Sequence, residues 1–271
     1  MKKAVTKMYG FLRNLLMDKT SGITFQCFDA WHIGFVVLFG VAAVLAARYL
    51  RGKNAAERGK VISAFAGIAF GIYMLDFFLM PLAYGQIDTE KLPFHACTTM
   101  CVLCFASRHN GFFGKYRLQF AALGFLSNFI YLMYPAGVMW YGIHPLSYRV
   151  VQTLVFHGFM VVYGVLVLIY ESDGFAWRKC YLDLVLIVAL TGWAMLGNAA
   201  YSTDTQVHNW FFVSQDPFGM LPADIAGYIM PELNIVLFFG VEMLVYLVFG
   251  SLKRKKGFEQ YLRTCYNQIK G

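Results

Sequence analysis

Six stretches of this chain are long enough and apolar enough to cross a lipid bilayer, and that limits what it can fold into more than any other feature. They run over Trp31–Leu50, Val61–Leu82, Arg117–Met133, Tyr148–Tyr170, Cys180–Ala200 and Gly227–Phe249. About 20 apolar residues are needed to cross about 30 Å of hydrocarbon as a helix. Within lipid the backbone N–H and C=O groups must be satisfied inside the structure, which selects helices for spans of this length. The fold class is therefore all-α, a polytopic membrane helical bundle. A seventh segment, Pro93–Ser107, is shorter and reaches only about 22 Å. Either its first end is sunk below the surface or the preceding loop dips into the protein. Both options put Pro93–Cys97 in a recess and bring the count to about seven transmembrane helices.

Composition agrees. Charged residues make up 14% of the chain, against about 25% in soluble domains. The net charge of +8 comes from bases gathered between the apolar stretches. With no basic patch on a soluble domain, this charge excludes nucleic acid as a partner and points to membrane phospholipids. The connections after spans one, three and five, with the C-terminal tail, hold sixteen Lys and Arg, whereas those after spans two, four and six hold two, Lys91 and Arg149. Cytoplasmic segments carry the basic excess. The C-terminus is therefore expected in the cytoplasm and the N-terminus outside, in an integral protein of the plasma membrane, the bacterial inner membrane. Five bases in the N-terminal tail oppose this count without reversing it.

Three parts are expected along the chain. Residues 1–28 form an N-terminal amphipathic segment, with Val5, Met8, Tyr9, Leu12, Leu15 and Leu16 at helical spacing. Residues 29–250 form a single transmembrane bundle, and 251–271 a basic cytoplasmic tail. The longest connection, Tyr201–Ala223, lacks Lys and Arg and carries Trp210, Phe211, Phe212 and Phe218. A loop of that length is expected to be a lid or a binding element.

Polar residues inside a membrane are costly and mark functional positions. Measured at about 1.5 Å per residue from the external span ends, Asp76, Asn128, Glu232 and Asn234 lie about 7–11 Å deep. On the same scale Cys97 and Gln152 lie about 6 Å and His157 about 13 Å deep, with Asn198 near the rim. They are expected to line a pocket opening outward. Only Gln119, Asp183 and Glu242 fall in the other half, where Asp183 has Lys179 nearby to pair with. Cys97 follows Pro93, which is suited to the first position of a helix. That places the thiol in the opening turns, where the helix dipole favours a thiolate. His157, mid-helix beside Gly158, is a candidate base for such a nucleophile. The six cysteines show no disulfide framework. The His–Cys spacing around His95 and Cys97 matches no standard zinc pattern, so neither a metal nor a cofactor is expected.

The segments LPFHAC (Leu92–Cys97) and YRVVQTLVFHG (Tyr148–Gly158), and Asn198 followed by HNWFF (His208–Phe212) and a Pro-Gly turn (Pro217–Gly219), resemble the YwaF-type integral membrane family. Those bacterial proteins are similar to eukaryotic transmembrane protein 164. The resemblance runs over roughly Leu92–Phe249 and is loose around Glu242. The eukaryotic relatives are similar to lipid acyltransferases that use a Cys and a His inside the membrane; more distant ones resemble Thr/His hydrolases of fatty-acid esters. By motif, the resemblance implies Cys97 as nucleophile and His157 as general base.

The expected function is thus membrane-embedded acyl transfer, to a lysolipid or to water. Asp76 or Glu232 would orient the imidazole, and Asn198 or Gln152 would donate to the oxyanion. His95, Asp76, Asn128, Gln152, Asn198 and Glu232 would line the substrate pocket. The competing expectation is a non-enzymatic binder or transporter of a lipid or small solute, using the same polar cluster.

Overall fold

A computed structural model describes residues 7–270 except 8, 9, 12, 21, 110, 140, 173–176, 204–206 and 218; side chains are described through residue 251, apart from 83 and 223. Its long helices are α1 (Ala30–Leu50), α2 (Ala55–Tyr84), α3 (Ala96–Ala106), α4 (Arg117–Met133), α5 (Tyr148–Tyr170), α6 (Tyr181–Tyr201) and α7 (Ala223–Lys270). Six of them are long and apolar enough to cross a membrane, and α3 is the shorter seventh. No strand occurs among the described residues.

The local signals for these helices lie in the sequence. Asp29 opens α1 by accepting the His32 N–H at 2.7 Å. Asn54 and Glu57 form a reciprocal capping box at α2, satisfying two backbone donors that the helix cannot. Gly85 closes α2 at φ 77°, a left-handed conformation that a residue without Cβ adopts freely. The last helix continues through Gly250 to Lys270, so no helix end marks where a tail would begin.

α5 is the axis of the bundle. Of its most apolar window 72% is buried, against 17% for α1 and for α7. It packs against α4, α2 and α1, with α3 held between α2 and α4 and with the α6–α7 pair set against α4. Conversely, α1, α6 and α7 expose rows of large apolar side chains, among them Val37, Val41, Leu45, Val185, Leu196, Val236 and Leu247. Exposed apolar area on that scale is not tolerated in water and fits contact with lipid tails.

The expectation that Pro93 opens the seventh helix is not met. Helix α3 begins at Ala96 with His95 as its N-cap, so Pro93 lies outside the helix. The irregular stretch 92–95 dips into the bundle instead. The Pro93 carbonyl accepts from Trp193 Nε1 at 2.6 Å and from Thr99 Oγ1 at 2.7 Å. Trp193 lies eight residues before the end of α6 at Tyr201, which is about 12 Å along the helix. Side chains thus satisfy this non-helical backbone.

Two further segments pack on the bundle. Within the Tyr201–Ala223 loop, Trp210 and Phe211 turn inward and are buried; Phe218 lies outside the described residues. Of the N-terminal stripe, Val5, Met8, Tyr9 and Leu12 also lie outside them, while Leu16 is buried and Leu15 exposed. Lys19 and Phe25 bond along the α4–α5 connection, the Phe25 N–H to the Ile143 carbonyl and the His144 N–H to the Lys19 carbonyl.

Candidate active site

His157 sits on α5 facing inward, 4% exposed. One helical turn earlier, the Thr153 carbonyl accepts from its Nδ1–H at 2.7 Å. A carbonyl can only accept, so the proton is on Nδ1 and Nε2 holds a free lone pair. That Nε2 is buried and has no hydrogen-bond partner among the described residues. The imidazole stacks flat on Tyr131 of α4, with centroids 4.0 Å apart and planes at 11°. Phe156 contacts its edge at 4.8 Å. The ring is therefore fixed in tautomer and in plane, with its basic nitrogen bare.

Cys97 is the second residue of α3 and half-buried, whereas Cys101 and Cys104 are fully buried. No side chain caps α3, so the first N–H groups of the helix are left for other acceptors. Cys97 and His157 make no hydrogen bond to each other.

The other expected site residues divide into separate groups. Asp76 does not reach His157. Its Oδ1 accepts the Tyr148 hydroxyl at 2.8 Å and its Oδ2 lies 3.1 Å from Lys91 Nζ, close enough for an ion pair but not aligned as a hydrogen bond. Glu232 is exposed and makes no hydrogen bond to His157. Gln152 donates to the Ile72 carbonyl at 3.4 Å and accepts from Thr153 Oγ1. Asn128 donates to Gly124 on its own helix. Asn198 is a loop clamp: its Oδ1 accepts the Trp210 N–H and its Nδ2 donates to Ser214 Oγ. The Asn198 amide is thus committed to the loop through Ser214 and Trp210, whereas Gln152 Nε2 makes one long bond to Ile72. Asp183 takes the Tyr246 hydroxyl at 3.0 Å in place of Lys179, which is exposed.

His95 belongs to a polar cluster over the dipping loop. The Phe211 N–H donates to its Nδ1 at 3.3 Å, so Nε2 carries the proton and lies 3.6 Å from Glu90. The other Glu90 oxygen accepts from His208 Nδ1 at 2.7 Å. Burial alone would raise the Glu90 carboxyl, but the hydrogen bonds and charges of His95 and His208 outweigh it and hold it below the ordinary carboxylate value. Phe211 and Phe212 have φ of 56° and 54°, a conformation costly for non-glycine residues. Asn234 Nδ2 secures it by donating to both of their carbonyls, at 2.8 and 3.0 Å. A surface recess lined by Gly22, Thr24, Asp29 and Trp31 shares no residue with any of these groups.

The motif residues thus converge around one dipping loop, one strained loop and the middle of α5. The TMEM164 family model matches residues 27–253, from just before α1 through the apolar part of α7. The chain belongs to the TMEM164 family. No curated relative and no solved structure matches it. Its TMEM164 relationship extends well beyond the stretch from Leu92 on which the motifs lie, taking in α1 and α2 and with them Asp76 and Tyr73. Lys91, Tyr131, Thr153 and Glu90 were not singled out from the sequence of this TMEM164-family chain. Only Thr153 left a signal there, being four residues before His157.

Proposed function

We propose that this TMEM164-family protein is a membrane-embedded acyl-transfer enzyme, with Cys97 as nucleophile and His157 as general base. The observation that carries the reading is His157 Nε2: a buried, unprotonated ring nitrogen with no partner among the described residues, its tautomer set by Thr153. A purely structural histidine would ordinarily have both nitrogens satisfied. Catalytic hydrogen bonds often tighten only when substrate binds, so the missing Cys97–His157 bond does not oppose the assignment.

The Cys97 thiol gives its proton to Nε2 as sulfur attacks the carbonyl carbon of a lipid ester. The oxyanion is met by the uncapped N–H groups at the start of α3. The C–O bond breaks, the leaving alkoxide takes the proton from His157, and an acyl thioester remains on Cys97. A lysolipid hydroxyl or water then gives its proton to Nε2 and attacks the thioester. The acyl chain leaves on that oxygen, and Cys97 regains its proton from His157. The backbone carbonyl of Thr153 orients the imidazole in place of a carboxylate. Intact-mass analysis of the purified protein is expected to show a fatty acyl adduct that hydroxylamine removes. An adduct of unchanged abundance in Cys97→Ala would exclude the assignment.

The Lys and Arg bias supports a plasma-membrane protein with Lys253–Gly271 in the cytoplasm and the Tyr201–Ala223 loop outside. Under that topology the dipping loop opens toward the outer leaflet. Reporter fusions placed after Gly250 should be silent when the reporter works only after export; activity there would reverse the topology.

A further inference from the structure

We propose that the acyl acceptor at this site is water, held between His157 Nε2 and the side-chain oxygen of Asn128, so that the thioester on Cys97 is hydrolysed to a free fatty acid. This deepens the acyl-transfer reading of Cys97 and His157 and rests on it.

Contacts along α4 fix its register against α3 and α5. On the α3 side, the Cys104 thiol donates to the Phe120 carbonyl at 3.3 Å. Four residues on, a Cβ at Gly124 would lie 3.4 Å from the side chains of both Cys104 and Met100. On the α5 side, a Cβ at Gly164 would meet Phe125 and the Ala121 carbonyl, and one at Gly124 would lie 3.4 Å from Met160. Further along, Tyr131 stacks on His157. Residue numbers rise along α4 as they fall along both neighbours, so α4 is antiparallel to each. Asn128 stands four residues beyond Gly124, about 6 Å along the axis. Cys97 and His157 stand three residues before Met100 and Met160, about 4.5 Å in the same direction. All three therefore lie at one level of the bundle. Cys97 shares a helix face with Cys104, and His157 shares one with Gly164, each seven residues or about two turns away. Both faces are turned to α4, where Asn128 is fully buried.

The Asn128 amide is oriented. Its Nδ2 donates to the Gly124 carbonyl at 2.7 Å. A carbonyl can only accept, so Oδ1 is the end left over. Like His157 Nε2, it is buried with no hydrogen-bond partner among the described residues. Two buried acceptors at one level call for two hydrogens. The Cys97 thiol has one, and gives it up when the thioester forms. A lysolipid hydroxyl also has one and would leave Asn128 unsatisfied, a cost that discriminates between acceptors. Water has two.

In deacylation the water oxygen attacks the thioester carbon as one of its protons passes to His157 Nε2. Its other O–H stays bonded to Asn128 Oδ1. The C–S bond then breaks, the sulfur takes the proton from Nε2, and the fatty acid leaves with the second hydrogen on its carboxyl group.

The test uses the full chain in nanodiscs containing phospholipid and lysophospholipid, in water labelled with heavy oxygen, and reads released fatty acid and the adduct on Cys97 by mass spectrometry. Wild type should release fatty acid carrying one heavy oxygen, and Cys97→Ala should release none. Asn128→Ala and Asn128→Leu should still form the thioester, which itself reports a folded site. They should lose it about ten- to a hundredfold more slowly, so the adduct accumulates. Asn128→Leu fills the space without a polar atom and guards against collapse around the smaller residue. A thioester that turns over at the wild-type rate in Asn128→Leu overturns the inference and leaves Cys97 and His157 in their roles. So does a wild type that passes the acyl group mainly to the lysolipid hydroxyl. A thioester absent from wild type and variants alike sinks the acyl-transfer reading, and the inference falls with it.

Discussion

Cys97→Ala and His157→Ala are each expected to abolish lipid acyl transfer, and the double variant to add almost nothing. A nucleophile and its base act as one unit, so losing either costs nearly as much as losing both, on the order of 10³-fold or more in rate. The fold should survive the first change. Cys97 is half-buried and gives up one sulfur, worth about 1 kcal/mol by analogy with a buried methylene. His157→Ala is more disruptive, because it removes the ring stacked on Tyr131 and the bond to Thr153. His157→Gln is the better probe: it retains polar reach but cannot act as a base. The measurement is the phospholipid acyl profile of proteoliposomes holding each variant, with matched amounts of folded protein. An unchanged profile in Cys97→Ala, beside a wild type that clearly remodels lipid, removes Cys97 as the nucleophile. A wild type that remodels nothing across varied lipids leaves the binder or transporter reading.

The helices were legible because a bilayer imposes length, and length is written in the apolar runs. All six long segments reappear within a few residues of where those runs begin and end, save that α2 and α7 extend further. Partnerships were less legible, because depth along a span says nothing about the direction a side chain faces. Asp76 lies at a depth that suggested His157, yet it turns to Lys91 and Tyr148. Glu232 and Asn234 share a depth but sit two residues apart, about 200° around the helix. One of them had to face away from the bundle, and it is Glu232. Asp183 lies one turn from Lys179, but Tyr246 on another helix claims it. Thr153 was readable as the residue four before His157. Tyr131 was not, since nothing in α4 alone reveals that its ring covers an imidazole on α5.

The dipping loop also rests on one missing Cβ. Phe94 stacks on Trp193 and on Trp210, both with centroids 4.8 Å away, and Trp210 stacks in turn on His208 at 4.3 Å. This column lies against Gly197 of α6. A Cβ at that position would overlap the Phe94 ring and come within 2.9 Å of Trp210 Cε3. Trp210 is fully buried, with its backbone N–H held by Asn198 Oδ1 at 2.9 Å, so it has no room to yield. Gly197→Ala must therefore displace Phe94, and with it the loop that leads through His95 into Cys97. Overpacking of this kind costs about 1–3 kcal/mol, and thermal unfolding in detergent should report it. Acyl transfer should fall as well, although Gly197 touches no reacting group. Phe94→Leu in the Gly197→Ala background makes space where the methyl intrudes and should recover stability, while Phe94→Leu alone should weaken the column. Non-additivity is the decisive reading, since residues in contact couple and distant ones do not. If Gly197→Ala leaves both stability and Cys97 reactivity at wild-type values, the ring column does not hold the loop in place.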